Sequence, residues 1–393
     1  MMTTHWTALL RNELVKLWHR KGRATLLLVL GLAALTAVLA QRAMYQERQA
    51  LAVEAAMQRH ALQQAAPGFA VNPALRHLTQ TNPLLPMAKG GPAALERRIA
   101  ALQALLRHAP TASATYHTAS LALALDRYDL AHAHGHTDQV TDNGWRLVGL
   151  GLGGSSFLFL GLLIVYLLGD LVAGERRAGT LSFLFLHQAR RSDAFLAKAA
   201  AGVLAAWGVV LLTAAGTFLF GAAIMGFGSD QVGHAVALRY VTLPPQSFPL
   251  ASPGMAFIPG SAVVAPALGP YHIVSQLAYD GLALALALLT AAALALLVAG
   301  LSVLARSPST ATLLGTLLVL SGIFSPLAAG HWYVLLDPGV HLPLMADYTG
   351  RVAQALRLSG ANLEPGLAVL AGWAVAALAL GTWRFGRLDP TRR

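Results

Sequence analysis

At 393 residues the chain is long enough for two or three soluble domains, but 56% of it is hydrophobic and only 11% charged, against roughly 45–50% and 25% in soluble proteins, so a water-soluble fold is excluded. The absence of cysteine excludes disulfides, thiolate metal centres, iron–sulfur clusters and a cysteine nucleophile, and leaves the redox compartment open. Lys and Arg total 28 against 17 Asp and Glu, a net charge of +11, and in a membrane protein the placement of that excess carries more information than its size.

The first predicted element covers residues 4–21. Trp6, Leu9, Leu10, Leu14, Leu17 and Trp18 recur at three- to four-residue spacing while Arg11, Asn12, Lys16, His19 and Arg20 fill the other side. A helix apolar on one face and cationic on the other belongs in a membrane interface, against lipid; the alternative is the same face packed on a protein core. Residues 24–40 form the first span, about 25 Å of helix, extended into the interface by Trp18 and Tyr45. Val38 and Ala40 before Gln41 resemble a signal-peptide cleavage site, but the long stretch ahead and the length of the apolar run do not fit one.

Residues 41–146 are expected to form a helical outer domain. A helix over 42–66 carries Leu51, Ala55 and Leu62 on one stripe and stops at Pro67-Gly68; Pro92 opens a second with a seam of Leu95, Ile99, Leu102 and Leu106; Ser113 caps a third with Leu121, Leu125 and Tyr128 inward. His132, His134 and His136, followed by Asp138, are a candidate Zn²⁺ or Cu²⁺ site through imidazole nitrogen. Residues at i, i+2 and i+4 do not share a helix face, so such a site needs the segment to unwind near Gly135; metal-free surface histidines are the alternative.

The second span, 147–169, opens on Gly149-Leu150-Gly151-Leu152-Gly153-Gly154, which has the form G-x-G-x-x-G. A dinucleotide site needs a strand before that motif and a soluble helix after it. At the head of an apolar span, Gly149/Gly153 and Gly151/Ser155 read as small-residue contacts between helices. Residues 170–198 then join three acids, two Arg pairs and an apolar patch of Leu181, Phe183, Leu184, Phe185 and Leu186, with Ser192 placed to cap the following helix. An apolar patch ringed by charge suits the docking of a soluble partner; a helix lying on the membrane surface is the alternative.

The third span is 199–228. Residues 229–273 form a Pro/Gly-rich loop expected to pack on the outer domain or the membrane. A fourth span falls within 274–305 and a fifth at 311–330, followed by a loop with short helices at 331–365, a sixth span at 366–383 and a tail at 384–393. The expected fold is an all-α polytopic membrane protein with six transmembrane helices, an amino-terminal interfacial helix and a helical extracytoplasmic domain between spans one and two. Basic residues cluster in 1–23, 170–198 and 384–393, where almost the whole charge excess falls. The consistent orientation puts those segments and both termini in the cytoplasm, and the excess reads as a topology signal with no nucleic acid involved.

G-x-x-x-x-G-K-[ST], H-E-x-x-H and G-x-S-x-G are all absent, so the chain offers no P-loop, zinc-peptidase or serine-hydrolase chemistry and is not expected to be an enzyme by itself. Asp170, Glu175, Gly179-Thr180-Leu181, Arg190-Arg191 and Lys198, together with Arg11-Asn12-Glu13-Leu14-Val15-Lys16-Leu17 and Arg20-Lys21, resemble the permease subunits of type-2 ATP-binding-cassette (ABC) exporters. The nearest likeness is to the bacterial branch linked to copper-enzyme maturation, in which a large outer insert separates the first two spans. Where many relatives have Pro, a small residue and Arg, this chain has Gln188-Ala189-Arg190.

The resemblance implies an inner-membrane permease that pairs with a second copy or a sister permease and is driven by a cytoplasmic ATPase dimer holding ATP and Mg²⁺, with no cofactor on this chain. Docking falls on Glu175, Arg176, Gly179, Thr180, Leu181, Phe183 and Leu184, with Arg190 and Arg191 beside them. The apolar spans suggest export or extraction of a hydrophobic or amphipathic substrate. A mechanotransmitter acting on a periplasmic partner at the outer domain is the alternative, and a sensor or scaffold without an ATPase is a third reading.

Overall fold

Long runs of Leu, Ala and Val leave a backbone in lipid no partners but its own, and these runs fold as helices. The computed structural model describes residues 2–64, 92–132, 143–153, 156–181, 190–243 and 263–388. Helix α1 (Met2–Leu17) passes through a π-helical turn at Trp18–Gly22 into α2 (Arg23–Gln64). The boundaries expected near residues 23 and 40 are therefore not breaks. No proline interrupts the run, and Gly22 is absorbed because the Trp18 ring lies where a Cβ would stand, 2.5 Å away. The amphipathic face divides. Leu17 is buried and Leu10 and Leu14 pack on the core, whereas Trp6 and Trp18 are 40% and 50% exposed.

In the insert, α3 (Pro92–His108) and α4 (Ala114–His132) pack through Leu102, Ala119 and Leu123. Ser113 caps α4, its Oγ accepting from Tyr116 N at 3.1 Å. The inward face of α4 is not the expected one: Leu121 and Leu125 are half-buried while Asp126 and Asp129 are fully buried. Charge pairing turns that face in. Arg98 meets Asp126 at 3.2 Å, and Asp129 accepts from Gly233 N at 2.7 Å. That second bond reaches the Pro/Gly-rich segment, which is not all loop. Strands β1 (Gly233–Val236) and β4 (His272–Ser275) pair antiparallel, as do β2 (Tyr240–Leu243) and β3 (Val263–Pro266), short stretches rich in Val, Ile, Thr and Tyr. His117 Nδ1 donates to Pro266 O at 2.7 Å, so the ladders lie against α4.

The expected second span is two helices, α5 (Gly144–Leu152) and α6 (Ser156–Leu168). At Gly153 the backbone turns extended (φ −112°, ψ 165°), in the Gly-Gly-Ser-Ser stretch least able to hold a helix. The close-packing reading holds at Gly149 and Gly151: a Cβ on Gly151 would stand 2.8 Å from Thr217 Cγ2, and one on Gly149 2.8 Å from Tyr279 Cε1, whereas Gly153 meets Gly149 O of its own helix and Ser155 lies outside the described residues. After the short α7 (Ala173–Ala178), the long helices are α8 (Arg191–Met225), α9 (Gln276–Leu304) and α10 (Pro308–Phe324). Ser275 and Ser307 cap the last two by accepting from Ala278 N and Thr310 N. Ser192 is not the cap expected of it: Arg190 holds the N-cap of α8, and Ser192 lies in the first turn.

Two short helices, α11 (Leu344–Tyr348) and α12 (Arg351–Leu356), precede α13 (Leu363–Gly386). Among the described residues six helices are long and apolar enough to cross a membrane. α9 packs on α5, α6, α8, α10 and α13, whereas α2, α10 and α13 present Leu27, Leu313 and Val375 outward, as a lipid-facing perimeter requires. The end of the bundle bearing α1, α7 and the close of α13 is the terminal face; the end bearing α3, α4 and the ladders is the insert face.

On the insert face His341 is wholly buried. Its Nδ1 donates to Asp347 Oδ2 and its Nε2 to the Leu335 carbonyl, both at 3.0 Å. Burial pulls the imidazole down, but these two acceptors outweigh it and hold His341 above its ordinary 6.5. Such a group stabilises the fold fully below pH 6.5, and the contribution is lost as pH rises through the higher folded value. The thermal unfolding temperature of the purified chain should accordingly fall as pH climbs above 6.5, and His341→Gln should flatten that part of the profile; an equal slope in the variant would contradict the assignment.

Candidate functional site

The segment that sequence reading assigns to docking is held from both ends. At its start, Ser302 Oγ on α9 accepts from Val172 N and Ala173 N at 3.0 and 3.1 Å and donates to Gly169 O at 3.1 Å. One hydroxyl thus satisfies the orphan groups where α6 ends and α7 begins. At its close, Gly179 adopts a left-handed conformation (φ 71°), with Gly179 N and Thr180 N donating to Arg176 O and Glu175 O, the helix stop that glycine allows without strain. Thr180 Oγ1 adds a 3.3 Å bond to Glu175 O.

Behind α7 lies a ring of four charges. Lys198 Nζ, on α8, stands 2.6 Å from Glu13 Oε2 and 2.8 Å from Glu175 Oε2; Lys16 Nζ stands 2.9 Å from Glu13 Oε1 and 3.2 Å from Glu175 Oε1. Each cation touches both carboxylates, and the ring sums to zero. Lys198 is wholly buried and Glu13 and Glu175 nearly so, an environment in which an unpaired charge is very costly. Two further ties join the same elements: Lys21 Nζ meets Asp170 Oδ1 at 3.0 Å, and the Arg176 guanidinium donates to Ala305 O and Val303 O at 3.1 and 3.0 Å. The latter are carbonyls at the end of α9, where a cation is favourably placed.

The expected docking residues therefore separate. Glu175 is not on the surface, because the ring claims its carboxylate; Arg176 is half-buried on α9; Leu181 is buried. Gly179, Thr180, Arg190 and Arg191 are exposed, as is Arg177, the residue sequence reading passed over for its neighbour. Arg191 also donates to Leu388 O at 2.8 Å, tying α8 to the end of α13. Phe183 and Leu184 lie outside the described residues. Glu13, Lys16 and Lys198 belong to the two motifs quoted above, yet only the i, i+3 spacing of Glu13 and Lys16 hints at pairing.

His132 is exposed, its Nδ1 donating to Tyr128 O at 3.0 Å and its ring stacked on Tyr128 at 4.3 Å. Among the described residues no three His, Asp or Glu side chains are gathered as metal ligands; His134 and His136 lie outside them.

Lys198→Met leaves two buried carboxylates with one cation and should cost about 3–5 kcal/mol, read as a lower midpoint in thermal unfolding of the detergent-solubilised chain. Adding Glu175→Gln should restore part of the loss. Equal losses in the single and double variants would mean that the ring is not coupled.

Residues 17–389 match the sequence family described as ABC-2 family transporter protein. No curated protein and no solved structure matches the chain. The match takes in five of the six candidate membrane helices whole and enters the first at residue 17, so Glu13 and Lys16, which lie before it, join the matched residues through the fold. The chain belongs to the ABC-2 family of transporter proteins: it is a multi-pass membrane permease subunit, and that membership implies association with an ABC ATPase.

Proposed function

We propose that the chain is the membrane-spanning subunit of an ATP-driven exporter in a bacterial inner membrane, with its terminal face and both termini in the cytoplasm. ATP and Mg²⁺ are held by a separate ATPase dimer, which carries out the hydrolysis. One ATPase subunit docks on Arg177, Gly179 and Thr180 and on the chain that continues through Phe183 and Leu184, flanked by Arg190. The observation that carries this reading is the division of labour on α7. Glu175 and Arg176 are committed to the bundle while Arg177, Gly179 and Thr180 face outward. Force applied to the outward residues passes through Glu175 to α1 and α8, and through Arg176 to α9. Nucleotide-driven closure of the ATPase then biases an alternating-access or lateral-exit motion of the spans, in a dimer of two copies or of one copy with a sister permease.

A hydrophobic or amphipathic substrate is favoured by an apolar groove of about 410 Å³ where α1 and α2 meet α8, lined by Leu14, Trp18, Leu26, Leu167, Val209 and Leu212. A second reading, mechanotransmission to a periplasmic partner without substrate passage, is favoured by the anchoring of the insert. The bonds from Asp129 to Gly233 and from His117 to Pro266 fasten α4 to both ladders, and β4 of the first runs directly into α9.

Docking is tested by permease-stimulated ATP hydrolysis in the reconstituted complex. Arg177→Glu and Thr180→Arg should each lower the stimulation about tenfold, equivalent to about 1.4 kcal/mol, with expression and thermal stability unchanged. Full stimulation in both variants would remove the docking assignment.

A further inference from the structure

On the insert face, away from the docking segment, a cavity of about 160 Å³ opens between the start of α5, the start of α9 and the α11–α12 turn, lined by Arg146, His234, Gln276, Tyr279, Thr349 and Arg351. Three features set its chemistry. First, two guanidiniums share one small space, and the charges of both help to lower the pKa of His234. Second, donors there are left without acceptors: Arg351 is exposed with no ion pair or hydrogen bond among the described residues, and the Tyr279 hydroxyl has no partner among them. Third, the wall is braced from behind. His234 Nε2 donates to Gln276 Oε1 at 2.6 Å, and Gln276 Nε2 donates to the buried Asp280 Oδ1 at 2.8 Å. Burial first, then the charges of Arg146 and Arg351, outweigh the Gln276 bond and lower His234 to about 4, so its ring is neutral at physiological pH and adds no third cation.

Asp280 stands behind Gln276 and does not line the cavity. Asp347, the acid on α11, is occupied by His341. Gly149 forms part of the floor, and its missing side chain keeps the Tyr279 ring in place.

We propose that this cavity is an oxyanion site, taking a phosphate-class group between Arg146 and Arg351 with the Tyr279 hydroxyl as a third donor. Guanidinium forks match the paired oxygens of such a group and bind it through charge-assisted hydrogen bonds. The volume lies below the roughly 300–1,000 Å³ of sites that enclose drug-sized molecules, so it admits a single oxyanion or the headgroup of a larger molecule. A free phosphate and a lipid phosphate present the same chemistry here.

Two arms of one experiment separate those sources, both on the full chain without an ATPase, so that failure of the docking reading leaves this one standing. In the first, inorganic phosphate is titrated into the protein in a neutral detergent by isothermal calorimetry. In the second, the protein in nanodiscs of phosphatidylcholine, with or without phosphatidylglycerol, is examined by native mass spectrometry for retained lipid. Saturable binding is expected in at least one arm: phosphate binding marks a free oxyanion, and phosphatidylglycerol retention without a phosphate response marks a headgroup. Arg351→Gln, at an exposed position, and Arg146→Gln should each weaken it at least tenfold, Tyr279→Phe should weaken it less, and Arg357→Gln, outside the cavity, should leave it unchanged. No saturable binding in either arm, or full binding in both Arg351→Gln and Arg146→Gln, overturns the assignment.

Discussion

The ammonium of Lys198 is wholly buried in α8, between the carboxylates of Glu13 and Glu175, and Lys16 closes the same circuit from the other side. Much of the terminal face depends on that circuit. A buried charge in a bundle surrounded by hydrocarbon has few ways of being solvated, and here each ion is solvated by two ions of opposite sign. The four residues come from α1, α7 and α8. Displacing any one of these elements separates charges in a medium that screens them poorly, so the three move together or not at all.

The same economy governs the helix ends around the ring. Carbonyls left open where α9 finishes are taken by Arg176, and amides left open where α7 starts are taken by Ser302. α7 is thus bonded to the end of α9 as firmly as to α1 and α8, although it is only six residues long. α9 in turn crosses the whole bundle, and its first turn carries Gln276 and Asp280, which brace the wall of the insert-face cavity. One continuous helix therefore joins α7 to the region where the insert and its ladders are fastened. Next to that cavity the contacts are made by small residues, with Gly149 and Gly151 letting α5 approach α9 and α8.

Much of this architecture is readable residue by residue. An uninterrupted apolar run must satisfy its own backbone, and that is a local property, so six spans follow from hydropathy. Ser113, Ser275 and Ser307 sit where caps belong and act as caps. Local rules fail where a distant partner intervenes. Ser192 loses the cap position to Arg190, next to Arg191, which bonds the end of α13. The inward face of α4 turns to Asp126 and Asp129 because Arg98 and Gly233 N are waiting there. The π turn at Trp18–Gly22 carries a helix through a glycine at which sequence rules place a boundary.

The sequence by itself determined a helical membrane protein of six spans, a charge-rich segment between spans two and three, and an insert after the first span, because hydropathy, turn residues and charge density are properties of neighbouring residues. Only the tertiary structure decided which residues of the charge-rich segment face outward. Lys16 and Glu175 lie 159 residues apart, and no periodicity joins them; their pairing exists only once α1, α7 and α8 are packed. That packing makes Glu175 an internal tie and leaves Arg177 at the surface, the reverse of what the motif alone suggests. The reason is electrostatic: a carboxylate beside two ammonium groups inside the bundle is more stable there than one left unpaired, and the helix turns to put it there.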